Sequence, residues 1–200
     1  MERLTLECRP EVLRSVKQIG LDIVGELSGF DPCHRSVEFK LPEAPEKRPL
    51  VIVVHGGGGK RDAININRAF AELGVATLIF DAYEMNGFAT VPRLGNFARQ
   101  QMLFVVAQEA YFWAQKRDDI DTSRIYLYGI SNGASIVANL AAIADPKHVA
   151  GVFAEAPTPT GIGYPNTVKV PLLIAFGKLD DLGAPPGKKR WEISDPCRFF

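Results

Sequence analysis

Residues 124–134 read RIYLYGISNGA, and the rest of the chain is interpreted outward from this stretch. Its apolar first part predicts a strand, and the apolar run at 134–144 predicts a buried helix. Between the two lies Gly129-Ile130-Ser131-Asn132-Gly133, which has the pattern G-x-S-x-G. A sharp turn between a strand and a helix projects a serine hydroxyl from the backbone, and flanking glycines leave room for that turn. Ser131 is therefore the candidate nucleophile.

A glycine-rich segment follows another predicted strand. Residues 50–54 are apolar without alternation, which is typical of a strand buried on both faces of a parallel sheet, and residues 55–59 then read HGGGG. A phosphate-binding loop would require Lys followed by Ser or Thr, whereas Lys60 is followed by Arg61; a dinucleotide site would require G-x-G-x-x-G opening a helix. The segment is instead expected to bring backbone amides close to a ligand.

These two motifs together predict an oxyanion hole. One amide would come from Gly57, or from its neighbour Gly58, and the other from Asn132, the residue after the candidate nucleophile. His55 is expected to fix the loop by hydrogen bonds rather than to act as a general base. Tyr83, Glu84 and Met85 lie in a long loop after a predicted strand, and parallel sheets bind ligands at the carboxyl ends of their strands. These residues are expected either to line a substrate pocket or to form a packed loop.

The remaining pattern predicts alternating strands and helices, and hence an α/β fold with a mostly parallel sheet. Asp180 follows the last predicted strand and is the candidate acid that orients a histidine, with Asp181 as the alternate. His148 is expected at the opposite end of the sheet from Ser131. The predicted strands are 36–41, 75–81, 125–128, 149–154 and 171–177, and the first of them alternates as an edge strand does. The predicted helices are 67–73, 97–117 and 134–144, and 97–117 has one apolar stripe. A turn is predicted at 121–123.

Across about residues 36–187 the chain resembles the dienelactone hydrolase family of the α/β-hydrolase superfamily, through VHGGGG at 54–59, FDAY at 80–83, YGISNG at 128–133 and PLLIAFG at 171–177 followed by Asp180. The resemblance implies a three-layer α/β-hydrolase sandwich. It also implies hydrolysis of a small carboxylic ester or lactone through an acyl-enzyme on Ser131, without a cofactor or metal. Ser131 and Asp180 would be catalytic, and His55, Gly58 and Tyr83 would lie at the substrate pocket.

The chain departs from this family in three ways. The namesake enzymes carry cysteine where this chain has Ser131, and many relatives carry Arg-Gly where it has Asn86-Gly87, so dienelactone itself is not the expected substrate. No histidine follows His148, although the family takes its general base from beyond the acid. The domain is therefore expected to lack its last strand and closing helix, as a sequence that stops short of its base. The alternative is a catalytically inactive binding or scaffold domain; thioester or peptide cleavage also stays open.

The composition excludes several classes of function. The 200 residues hold 23 basic and 23 acidic residues, so no nucleic-acid partner is expected, and no apolar run is long enough to span a membrane. Residues 1–35 have no predicted role, and 36–200 form the predicted domain. Cys8, Cys33 and Cys197 lack the spacing of a metal site. They are expected to be free thiols, which favours a cytoplasmic protein, whereas a disulfide between Cys33 and Cys197 would indicate export. The oligomeric state has no signature.

Overall fold

The computed structural model describes residues 2–5, 36–43, 45–158, 167–180 and 186–188. The spacing of apolar residues over 12–24 predicts a short helix, with an edge strand before Gly29 as the alternative. That segment, the three cysteines, His34 and Asp181 lie outside the described residues; of residues 1–35, only 2–5 are described, and they form a strand. The elements are β1 (Glu2–Thr5), β2 (Ser36–Lys40), β3 (Arg48–Val54), α1 (Ile64–Glu72), β4 (Ala76–Ile79), α2 (Asn96–Ala114), β5 (Ile120–Ile130), α3 (Asn132–Ile143), β6 (Val149–Glu155) and β7 (Leu172–Ala175).

The strands form one sheet in the order β1-β2-β4-β3-β5-β6-β7. Neighbouring strands from β4 to β7 are parallel, whereas β2 pairs antiparallel with both β1 and β4. The predicted α/β fold with a mostly parallel sheet is confirmed. The prediction that 36–41 is an edge strand is wrong, because β1 pairs along the outer side of β2. Alternation in a strand reports a polar face and carries no information about a neighbour that pairs through the backbone.

The core lies on both faces of the sheet, so the structure has three layers. Leu50, Ile52 and Val54 of β3 face one cluster with α2 and α3, while Val51 and Val53 face a second cluster with residues of α1. All five side chains are buried, and each fully buried aliphatic side chain contributes about 1.5–3 kcal/mol to stability. This burial on both faces explains why the sequence of β3 does not alternate. The same burial holds β3 in place, and the HGGGG loop directly follows the end of β3.

Two local predictions are wrong. Residues 121–123 were expected to form a turn before the strand, but β5 already begins at Ile120. The Ser123 amide does donate to Asp121 Oδ1 at 3.0 Å, and the pairing with β3 shifts register here, so a turn-like bulge is built into the strand. The long helix α2 was expected to bury one apolar stripe. Every residue from 100 to 110 is buried, so this part of the helix is covered on all sides, and the buried residues include Gln100, Gln101, Gln108 and Glu109.

Candidate active site

Ser131 lies between the end of β5 and the start of α3. Its backbone has φ 54° and ψ −114°, and Ala156 is the only other non-glycine residue with a positive φ in the described part of the chain. A positive φ strains a residue that carries a side chain, and such strain concentrates at functional sites. The Ser131 amide donates to the Glu155 carbonyl oxygen at 2.9 Å. The turn is thus tied to the end of β6 at the carboxyl edge of the sheet.

The two glycines of the motif are required by close backbone contacts. A Cβ added to Gly129 would stand 2.3 Å from the carbonyl oxygen of Gly133. A Cβ added to Gly133 would stand 2.1 Å from the carbonyl oxygen of Val54, at the end of β3. Real Cβ atoms do not approach backbone oxygens so closely, so α3 packs on β5 and β3 only because these positions have no side chain. The same contact brings the serine turn against the HGGGG loop.

The HGGGG loop lies beside the candidate nucleophile. A Cβ on Gly56 would be 3.4 Å from Cβ of Ser131, and a Cβ on Gly57 would be 3.5 Å from Nδ2 of Asn132. The amide of Gly58 donates to Asp62 Oδ2 at 2.8 Å, whereas the Gly57 amide makes no hydrogen bond within the described residues. The structure therefore brings together Gly57, Asn132 and Ser131, and it leaves the Gly57 amide available.

His55 anchors this loop to the next one along the sheet. Its side chain is fully buried; Nδ1 donates to the Gly56 carbonyl oxygen at 2.7 Å, and Nε2 accepts from the Ala82 amide at 2.9 Å. A ring that donates at one nitrogen and accepts at the other is the neutral tautomer. Burial lowers the pKa of His55, which keeps the ring neutral. Both nitrogens are engaged, so His55 has none to offer as a general base.

This buried histidine predicts a pH-dependent stability. Because the folded state binds a proton at His55 less readily than the unfolded chain, stability is expected to fall as pH drops below about 6.5, by up to about 1.4 kcal/mol per pH unit. Urea unfolding between pH 8 and about 5 measures this slope. The His55→Gln variant should lose that part of the slope, whereas His148→Gln should keep it. An unchanged slope in His55→Gln would contradict the assignment.

Asp81 joins the loops that follow β3 and β4. Its carboxylate accepts from the amides of Lys60, Tyr83 and Glu84 at 3.0–3.1 Å. Burial alone would raise the pKa of Asp81, but these hydrogen bonds lower it overall, so the group stays ionised. In the sequence, Asp81 is recognisable only as part of the FDAY motif. Its role depends on contacts between segments about twenty residues apart, such as the bond from the Lys60 amide, which sequence spacing does not reveal.

Tyr83 is buried beside the HGGGG loop. Its ring centroid lies 5.0 Å from that of His55, and its Cδ2 lies 3.8 Å from the position of a Cβ on Gly59. Burial raises the pKa of Tyr83 to about 12, although the Arg99 charge and the Asn132 side chain act in the opposite direction. The hydroxyl is thus a protonated donor near the candidate oxyanion loop.

The candidate acid and the remaining described histidine lie at opposite ends of the sheet. Asp180 follows β7, is half-buried, and donates its amide to the Gly177 carbonyl oxygen at 3.0 Å. One strand separates β7 from β5, so Asp180 follows a strand about 10 Å from the one that carries Ser131. His148 directly precedes β6, where its Nδ1 lies 3.3 Å from the Thr122 carbonyl oxygen. It lies, as expected, at the edge opposite to the serine turn.

The sequence analysis did not predict that two charged residues lie beside the HGGGG loop. Asp62, in a short 3₁₀-helix, places Oδ2 2.9 Å from the position of a Cβ on Gly56. Arg99, in α2, places Nη1 3.9 Å from the position of a Cβ on Gly57. Neither residue belongs to a recognisable motif, since both come to the loop through packing. The loop therefore has a carboxylate beside Gly56 and Gly58 and a guanidinium beside Gly57.

No group of three or more His, Cys, Asp or Glu side chains suited to a metal ion occurs among the described residues. Of the helices in that same part of the chain, none has the length and apolar character needed to cross a membrane.

Comparison with known proteins identifies relatives over most of the chain. The sequence model of the dienelactone hydrolase family matches residues 37–192. An Escherichia coli protein described as an uncharacterized 31.7 kDa protein in the traX-finO intergenic region is 34% identical over 109 residues, which are 54% of this chain and 37% of that protein. The chain thus spans little more than a third of the length of the curated relatives it matches.

Two solved structures share the fold. A dienelactone hydrolase from Anabaena variabilis is 20% identical with a TM-score of 0.57, over 74% of this chain and 69% of that chain. A dienelactone hydrolase-like promiscuous phosphotriesterase from metagenomic libraries is 22% identical with a TM-score of 0.60, over 74% of this chain and 64% of that chain. At these identities the similarity establishes the fold.

Proposed function

This chain belongs to the dienelactone hydrolase family of α/β hydrolases, and we propose that it cleaves a small carboxylic ester or lactone through an acyl-enzyme on Ser131. The observation that carries the proposal is the strained backbone of Ser131, which is held between two glycines that cannot accept a side chain. Proteins retain such strain where the geometry serves a function. The neighbouring amides of Gly57 and Asn132 support the same chemistry.

In the proposed reaction, Ser131 Oγ attacks the ester carbonyl while its proton passes to a base. The negative charge that develops on the carbonyl oxygen is stabilised by the amides of Gly57 and Asn132. The carbonyl reforms as the alcohol leaves with the proton, and Ser131 carries the acyl group. Water then attacks this ester and releases the carboxylic acid. Because the Gly58 amide is hydrogen-bonded to Asp62, Gly57 is the better of the two candidate donors.

The proposal assigns the base to a histidine oriented by Asp180, as in other members of the fold. Asp180 supports this role by its place after β7, on the edge of the sheet at which β5 ends. The two histidines in the described part of the chain are placed elsewhere: His55 has both nitrogens engaged, and His148 lies at the opposite edge. The third histidine of the sequence, His34, lies outside the described residues.

Labelling with a fluorophosphonate tests the proposal on the 200-residue chain. The reagent forms a covalent bond with an activated serine and loses fluoride, so intact mass reports stoichiometry and peptide mapping reports the site. Rapid labelling of one serine per chain, at Ser131, is the result expected when a histidine reaches the Ser131 hydroxyl. A folded sample that is not labelled, or that is labelled elsewhere, would overturn the proposal and would favour the binding or scaffold domain.

A further inference from the structure

A cavity of about 340 Å³ lies at the edge of the sheet opposite to Ser131, between the last turns of α2 and α3. His148, which directly precedes β6, lines it at that edge. The apolar part of its wall consists of Phe112 from α2, Leu140 and Ile143 from α3, and Leu127 and Val149 from the sheet. The cavity is separate from the candidate active site, and its volume suits a small organic molecule.

The wall of this cavity includes a buried hydrogen-bond acceptor that has no donor. Gln108 of α2 is 5% exposed, and its Oε1 makes no hydrogen bond to any residue that the structure describes. An unsatisfied acceptor that is shielded from water costs free energy, and the cost is removed when a donor reaches it. A ligand that carries an N–H or O–H group is therefore favoured over a purely apolar one.

Asp145, just beyond the end of α3, brings a negative charge to the same cavity. Its Oδ1 accepts from the Lys147 amide at 2.9 Å, but its carboxylate forms no ion pair within the described part of the chain. Burial raises the pKa of Tyr111 to about 12 and the Asp145 charge acts in the same direction, although the Gln115 side chain opposes it. No described lysine or arginine lines the cavity, so the charge of Asp145 is not balanced there.

The ends of two helices add to this negative potential. Helix α2 ends at Ala114 and α3 at Ile143, and residues from both last turns line the cavity. The carboxyl end of a helix carries a partial negative charge, which stabilises a nearby cation. A metal ion is usually held by several charged or imidazole ligands, and no suitable group of three exists among the described residues. The wall instead fits an organic cation with an apolar body.

We propose that this cavity binds a small primary ammonium compound, with its charged group beside Asp145 and Gln108 and its apolar group against Phe112 and Ile143. Such binding is independent of Ser131 and of the reaction proposed above. An alcohol of the same shape would satisfy the Gln108 acceptor but would not neutralise the Asp145 carboxylate. A carboxylate of the same shape would be repelled by Asp145. Affinity is thus expected to follow the charge of the ligand.

An NMR titration of the ¹⁵N-labelled 200-residue chain tests the proposal. The probes are 2-phenylethylamine, which is an ammonium ion near neutral pH, 2-phenylethanol and 3-phenylpropionate. The amine is expected to shift the backbone amide signals of Gln115 and Asp145 saturably. It is also expected to bind roughly tenfold more tightly than the alcohol, the usual factor between charge-assisted and neutral hydrogen bonds. The propionate is expected to leave these signals in place.

Two substitutions separate the charge from the buried acceptor. Asp145→Asn removes the charge but keeps an acceptor for the Lys147 amide, so the turn is retained. It should reduce the preference for amine over alcohol to less than about threefold. Gln108→Met keeps the length of the side chain without its oxygen, and it should weaken the binding of amine and alcohol alike.

Glu72→Gln is the matched control, because it removes the same charge from an exposed position on α1, on the other face of the sheet. It should leave the preference intact, and the spread of amide signals establishes that each variant is folded. Equal affinity for amine and alcohol in the unchanged chain, or a preference that survives Asp145→Asn, would overturn the proposal. So would a titration that moves only signals elsewhere, or none at the highest soluble concentration of amine, because the cavity would then hold water only.

Discussion

Ser131→Ala is expected to reduce ester hydrolysis to the rate seen in buffer, a loss of at least about 10³-fold relative to an unchanged chain whose Ser131 is labelled by the fluorophosphonate. The reason is that the acyl-enzyme route has no replacement nucleophile once the hydroxyl is gone, and loss of a nucleophilic serine costs several orders of magnitude in well-studied hydrolases. The measurement is the initial rate of hydrolysis of a small carboxylic ester by both chains at equal concentration.

Ser123→Ala provides the control for this substitution. Ser123 lies in the same strand as the turn but near its opposite end, and it is exposed, with its hydroxyl bound to Asp121. Its removal is expected to leave the rate within about twofold, since an exposed serine contributes little to the fold or to the site. If Ser131→Ala hydrolysed the ester as fast as the unchanged chain, Ser131 would not be the nucleophile.

The parts of the fold that could be predicted from sequence are those fixed by local chemistry. Strand β3 was recognisable because both of its faces are buried, which requires a continuous apolar run. The serine turn was recognisable because two backbone contacts exclude any side chain at Gly129 and Gly133, so the glycines carry structural information themselves. In both cases the physical constraint acts on residues that are adjacent in the sequence.

The parts that could not be predicted depend on contacts between distant segments. Strand β1 covers β2 through backbone pairing, which leaves no mark on side-chain alternation. The carboxylate of Asp81 ties together two loops, and Arg99 reaches Gly57 from a helix about forty residues further along the chain. Such positions look like ordinary surface charges in the sequence. Their importance follows from burial and from the neighbours that the tertiary packing supplies.

Gly133→Ala is expected to destabilise the protein by at least about 3 kcal/mol, a large part of the 5–15 kcal/mol typical of a folded domain. The added Cβ would lie 2.1 Å from the Val54 carbonyl oxygen and 2.5 Å from that of His55. Both obstacles are backbone groups, so no side-chain rotation relieves the clash and α3 must move away from β3. Alanine favours a helix over glycine by only about 1 kcal/mol, which does not compensate. Urea unfolding measures the difference.

Gly95→Ala is the matched control, because its added Cβ would meet nothing within 4 Å and its φ of −61° suits any residue. It should cost less than about 1 kcal/mol. If Gly133→Ala and Gly95→Ala had the same free energy of unfolding, α3 could move away from β3 without loss of stability, and the close contact between Gly133 and Val54 would not be required. Where Gly133→Ala does fold, the separation of α3 from the HGGGG loop should also slow fluorophosphonate labelling, since the contact that excludes a Cβ is the one that sets Asn132 beside Gly57.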